Sequence, residues 1–322
     1  MAASGEHVKA LVRSHASGDD TAFYSVAMQV AAQAARQGHT KLAGDIKHVI
    51  DQSRQEPVVR NVTSIAKPRG DLADLVNATF PKTSIRELIG PAALLQQIEL
   101  VITEQLQRKK LLDHGYAPSH RLLLEGPPGT GKTLTAGVIA HQLALPLVTV
   151  RLDGLLSKYM GETAGKLRTI FDAVNSQRAV YLFDEFDALG GDRAGNDVGE
   201  ARRILNSFLV FLEEASPESI IVAATNHRGI LDPALFRRFD QVLSYALPDQ
   251  SQANKIMRMR LGPLGKGVRW AQVSSKAEGL SHAELVKAAE SAAKTSLLKG
   301  DTNVTTANLS DAVDARRLAS HG

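Results

Sequence analysis

The chain contains no cysteine. That excludes disulfides, thiolate nucleophiles and cysteine-based zinc sites, and it suits a reducing compartment. There is no run of about 18 apolar residues, so no membrane span is expected. The opening stretch, MAASGEHVKALVRSH, has no apolar signal core. A soluble, cytoplasmic protein is the expectation. Blocks of about five or more basic residues are also missing. The 38 Lys+Arg against 34 Asp+Glu leave a formal charge of +4 over 322 residues. This balance, with a pI near 9.2, is compatible with nucleic acid but does not argue for it. Neither an internal repeat nor a low-complexity tract is found. The length is enough for two or three domains with a sizeable core.

What the chain does have is one dense stretch, Arg121 to Thr133, RLLLEGPPGTGKT. Residues 121–125 read as a short buried strand, and 134–145 carry helical apolar spacing. Between them Gly126-Pro127-Pro128-Gly129-Thr130-Gly131-Lys132-Thr133 fits the phosphate-binding pattern G-x-x-x-x-G-K-[ST]. Gly129 and Gly131 free the backbone to turn successive N–H groups onto an anion. The helix N-terminus adds partial positive charge at the same point. Lys132 can reach β- and γ-phosphates, and the Thr133 hydroxyl can ligate Mg²⁺.

Taken in order, residues 1–55 read as three short antiparallel helices, serving either as a docking module or as a structural appendage. Their apolar stripes are Val8, Leu11 and Val12; then Phe23, Val26, Ala27, Val30, Ala31 and Ala34; then Leu42, Ala43, Ile46, Val49 and Ile50. Residues 56–84, with Pro57, Lys67-Pro68-Arg69-Gly70 and Pro81, read as a linker holding one helical turn over 72–76. Pro91 opens a helix whose apolar face is Leu94, Leu95, Ile98, Val101, Ile102 and Leu106. Across 85–250 strands are expected at 121–125, 146–152, 179–183, 220–224 and 241–246, with helices at 162–174 and 200–214 between them. Such alternation implies an α/β fold, a parallel sheet covered on both faces with its ligand at the carboxyl ends of the strands. Residues 251–322 show only helices, at 251–261, 281–298 and 305–318, and form a small helical domain.

Val180-Tyr181-Leu182-Phe183-Asp184-Glu185 is an apolar strand ending in two acids. Asp184 is placed to hold Mg²⁺ directly or through water, and Glu185 to polarise a water toward a γ-phosphate.

With these residues in view, the chain resembles the AAA+ ATPases, and among them the classical AAA clade of protein-remodelling and unfolding enzymes. GPPGTGKT matches the Walker A wording of that clade and LFDEFD resembles its Walker B. Ala224-Thr225-Asn226 looks like the sensor-1 strand end, where Asn226 would orient the attacking water. The segment from Leu231 to Asp240 resembles the one that carries arginine fingers. Family members usually have two further residues between those arginines, whereas Arg237 and Arg238 are adjacent here. Arg237 is the favoured finger, with Arg238, or both, as the alternative. Lys158-Tyr159-Met160-Gly161 resembles the first pore loop, whose aromatic would grip an extended polypeptide by area burial. Residues 190–199 resemble a second pore loop, and Arg202 and Arg203 resemble arginines that meet an adjacent subunit. In Gly279-Leu280-Ser281-His282-Ala283-Glu284 the usual glycine is replaced by His282, which becomes a candidate adenine or ribose contact. Ser281 and Glu284 also fit a plain capping box.

The resemblance covers about residues 85–318 and implies a P-loop NTPase fold with a C-terminal helical lid. The small N-terminal bundle lies outside it. It implies ATP and Mg²⁺ as cofactors, Leu134 beside the loop as a nucleotide contact, and a homo-oligomeric ring, expected to be a hexamer. Such a motor would hydrolyse ATP to remodel, unfold or thread proteins. The family also includes ATPases that feed a separately encoded protease, so a protease in trans is a partner this resemblance allows. Two other readings stand beside it: a nucleic-acid loader or helicase-like machine, and an ATP-dependent switch in a complex. No helix-turn-helix appendage supports the former, and Glu185 argues against the latter.

Overall fold

The computed structural model describes residues 9, 20–36, 38, 43–45, 71–155, 162–189, 198–227, 229 and 233–321. Contacts divide the chain into two units, Met1–Ser64 and Ile65–Gly322.

In the first unit, helix α1 (Asp20–Arg36) buries Ala27, Ala31 and Ala34, the small side of the expected stripe. Gly38 follows at φ +84°, its N–H donating to the Ala35 carbonyl. Of the other two expected helices, only residue 9 and residues 43–45 are described, and these are helical.

The second unit is built on a six-stranded sheet. Its strands are β1 (Val76–Thr79), β2 (Arg121–Glu125), β3 (Leu147–Val150), β4 (Val180–Phe183), β5 (Ile220–Thr225) and β6 (Gln241–Ser244), in the spatial order β1-β3-β4-β5-β2-β6. Five strands run parallel and β1 runs antiparallel along β3, with Val76 opposite Val150. The pleat sorts each strand between two cores, because successive side chains leave on opposite faces. Leu123, Tyr181, Phe183, Ile221 and Ala223 enter one cluster, with helices α4 (Glu162–Ser176) and α5 (Val198–Glu214) packed over them. Leu122, Leu124, Val180, Leu182, Ile220, Val222 and Ala224 enter the other, under α2 (Ala92–Leu106) and α3 (Lys132–Gln142). In the first cluster the Phe208 ring meets Phe171, Phe183 and Phe186 with centroids 4.7–5.5 Å apart.

Two expectations change. The interval 56–84 is not a plain linker at its end: the expected helical turn is there, at Asp71–Leu75, but Val76–Thr79 is the edge strand. Leu75 and Val76 are buried with Val148 and Val150. A strand of four residues with one buried side chain offers too little alternation to read, and its pairing is supplied by a distant segment. On α2, Leu106 is 65% exposed, and buried Gln105 closes the inner face by donating from Nε2 to the Ser119 carbonyl at 2.8 Å.

Beyond the sheet, α6 (Gln250–Leu261), α7 (His282–Leu298) and α8 (Thr306–His321) enclose a separate apolar cluster that includes Met257, Leu285, Ala289 and Leu309. Asp249 caps α6 in a complete capping box, and Ser281 caps α7 by accepting from the Glu284 N–H. The phosphate loop after β2, the acids after β4 and Asn226 after β5 all leave from the carboxyl edge of the sheet.

Candidate functional site

At that edge lies a cavity of about 470 Å³ lined by Pro128, Gly129, Gly131, Lys132, Thr133, Leu134, Asp184, Glu185, Asn226, His282, Ala283 and Val286. One pocket therefore gathers most of the side chains singled out from sequence. Gly126 and Pro127 do not line it, but their carbonyls accept from Lys132, which does.

The loop is held by its own backbone. Gly131 caps α3 at φ +101°, a left-handed conformation that costs an L side chain strain. Gly126 has φ +143°, and a Cβ there would stand 2.3 Å from the Tyr245 carbonyl oxygen. Lys132 is buried, and its Nζ donates to the carbonyls of Gly126 and Pro127 at 2.7 and 2.8 Å. Burial pushes the ammonium below the usual lysine range, while the Asp184 and Asp187 carboxylates pull it back up. Thr130 folds inward, its hydroxyl donating to the Pro127 carbonyl.

Thr133 Oγ1 donates to Asp184 Oδ2 at 2.6 Å, so two hard oxygen donors converge at one point of the pocket. Their chemistry fits Mg²⁺, which takes one or two protein oxygens and completes its shell with water and phosphate. Glu185 is exposed and adopts φ +52°, uncommon for a residue with a side chain. Its N–H donates to Asp184 Oδ1 and its carbonyl accepts from the Ala188 N–H, so the turn fixes where the carboxylate departs from the chain.

Asp187 had no role assigned from sequence. Its Oδ1 accepts from Thr225 Oγ1 at 3.0 Å and from the Asn226 N–H at 3.2 Å, joining the turn after β4 to the end of β5. Its spacing after Asp184 in LFDEFD was the available signal.

The N-terminus of α7 closes one side. The Ala283 N–H donates to the Gly129 carbonyl at 3.0 Å, and His282 Nε2 donates to the Ile89 carbonyl at 2.7 Å. A carbonyl only accepts, so Nε2 carries the proton, and buried Nδ1 has no hydrogen-bond partner among the described residues. Burial lowers the imidazole's proton affinity, against a smaller raising by the Ile89 bond. Leu134 and Val286 supply apolar lining suited to the flat face of a base.

The adjacent arginines have different surroundings. Arg238 pairs with Glu213 at 2.6 Å, whereas Arg237 is exposed with no ion pair among the described residues. Neither lines the pocket. Arg203 is exposed on α5. Lys158, Tyr159, Met160 and Gly161 lie outside the described residues, as do 190–197 of the second expected loop.

A sequence model described as "ATPase family associated with various cellular activities (AAA)" matches residues 122–247. The chain is 31% identical over 324 residues to the AAA family ATPase y4kL of Sinorhizobium fredii, spanning 98% of this chain and 97% of that one. It is 31% identical over 254 residues to the ATP-dependent zinc metalloprotease FtsH 3 of Sphaerobacter thermophilus, covering 76% of this chain and 52% of the relative. Against the proteasome-activating nucleotidase of Pyrococcus horikoshii it is 32% identical over 244 residues, with 73% and 61% covered.

Proposed function

The chain belongs to the AAA family of ATPases, and we propose that it assembles into a ring, expected to be a hexamer, that hydrolyses ATP to unfold and translocate proteins. ATP hydrolysis comes with the family; the ring and its protein substrate are our reading. Within one subunit Lys132 supplies positive charge to the β- and γ-phosphates. Thr133 and Asp184 are the residues that would hold Mg²⁺, whose charge offsets that of the phosphates. Glu185 polarises the attacking water and Asn226 orients it. Leu134 and His282 face the nucleoside.

The observation that carries the ring is the placement of Arg237. It is exposed, has no ion pair among the described residues and does not line the pocket that collects the other groups, while Arg238 is held by Glu213. An arginine finger acting on a neighbouring subunit's nucleotide gives that side chain a use. The protein substrate is supported by two relatives whose names join nucleotide use to a protease or a proteasome. A protease acting in trans belongs to the same reading. No helix among the described residues is long and apolar enough to cross a membrane.

The test separates hydrolysis from work. Tyr159→Ala should keep basal ATPase, lose stimulation by an unfolded protein and fail to unfold a tagged substrate. Glu185→Gln should hold ATP and substrate without turnover. A folded Tyr159→Ala protein that unfolds substrate normally would remove the threading role, and stimulation by DNA instead of protein would move the chain to the nucleic-acid reading.

A further inference from the structure

One aromatic residue outside every motif meets the entry of the phosphate loop directly and reaches its exit through Thr135. Tyr245 follows β6 and is 8% exposed. Its backbone N–H donates to the Glu125 carbonyl at 2.7 Å, carrying the β2–β6 ladder to the last residue before the loop. Its own carbonyl stands against Gly126, where a Cβ would come within 2.3 Å. At the other end, its hydroxyl donates to Thr135 Oγ1 at 2.7 Å, and the Thr135 hydroxyl donates in turn to the Gly131 carbonyl at 3.1 Å. The Thr135 N–H reaches the same carbonyl at 2.9 Å. Burial pushes the phenol above its ordinary range, against a smaller lowering by Thr135, so the hydroxyl remains a donor.

We propose that Tyr245 is a positioning residue for ATP binding, fixing the phosphate loop at its entry through Glu125 and Gly126 and at its exit through Thr135 and Gly131. The exit matters because a peptide unit is planar and trans. The C=O and N–H of one unit lie in that plane and point in opposite directions, so pinning the Gly131 carbonyl sets the direction of the Lys132 N–H. That N–H is among the first of α3, and such groups face an anion bound at a helix N-terminus. Two hydroxyls in series also polarise one another, so the relay holds the carbonyl more firmly than either bond alone.

Tyr245→Phe deletes one hydroxyl and keeps the ring and both backbone contacts. Thr135→Val deletes the other at nearly equal volume. Steady-state ATPase and thermal melting would be measured for both variants and for the double variant. Each single variant should raise KM for ATP about three- to tenfold, the scale of one hydrogen bond. The kcat should change less than about twofold, because phosphate contacts are shared by ground and transition states. The double variant should be no worse than the poorer single one, since both break one chain. Additive losses in the double variant would overturn the relay. Wild-type KM in folded Tyr245→Phe would overturn the positioning role, as would a KM change that merely tracks lost melting temperature. Should Tyr245→Phe fold poorly, an unchanged KM in Thr135→Val overturns the proposal by itself.

Discussion

Asp240 shows how one carboxylate can fasten strands at the end of the sheet away from the pocket. Its Oδ2 accepts from the His120 and Arg121 N–H groups at 2.9 Å each, and its Oδ1 from Arg121 Nη2 at 2.6 Å. His120 Nδ1 adds a contact at 3.2 Å. Burial alone would raise the carboxyl, but the bonds from His120 and Arg121 together hold it well below the usual carboxylate range. A depressed folded-state pKa contributes stability that is complete above the unfolded value, near 4, and is lost as pH falls toward the folded one. Asp240→Asn should therefore cost roughly 2–3 kcal/mol at pH 7 and progressively less as pH drops below about 4. Denaturant melts of both proteins across that range check it; a gap that stays constant with pH would show that the carboxylate charge is not the source.

The phosphate loop is an element whose shape depends on two kinds of glycine. At Gly131 a Cβ would meet no atom of the described residues within 4 Å, so the penalty for alanine there is the positive φ. At Gly126 a Cβ would meet backbone as well, the Tyr245 carbonyl at 2.3 Å, and β6 cannot retreat without breaking its ladder to β2. Gly131→Ala should fold with a loss of about 1–3 kcal/mol from strain. Gly126→Ala should lose clearly more and displace the loop start whose carbonyl accepts from Lys132. Thermal melts paired with ATP titrations distinguish the two. Equal losses would mean the loop entry relaxes freely and the close approach has no consequence.

At the scale of the whole molecule, the proposed ring makes activity a property of assembly. If Arg237 serves a neighbour's nucleotide, specific ATPase activity should rise with protein concentration across the assembly range. Arg237→Ala alone should lower turnover by several orders of magnitude, the scale known for arginine fingers. Mixing it with Glu185→Gln subunits should restore part of the activity wherever an intact arginine meets an intact glutamate. Flat concentration dependence, with no rescue in mixed rings verified by mass, would set Arg237 among ordinary surface charges.

The sequence by itself determined the strand–loop–helix around Lys132, the five parallel strands to within two residues at their ends, and the helical segment after Pro248. These are local features: apolar period, glycine placement and capping residues act over one turn or one strand, so they can be read without the fold. The pairing of Thr133 with Asp184, across 51 positions, was legible only because both motifs were already known by type. The tertiary structure decided what no local pattern contains. It made Val76–Thr79 an edge strand, because the distant β3 gives those four residues their ladder partners. It assigned Asp187 to Asn226, sent Arg238 to Glu213 while leaving Arg237 exposed, and set Tyr245 against a glycine 119 positions earlier. Each of these contacts joins segments far apart in the chain, and the energy that selects it exists only once the sheet has formed and brought them together.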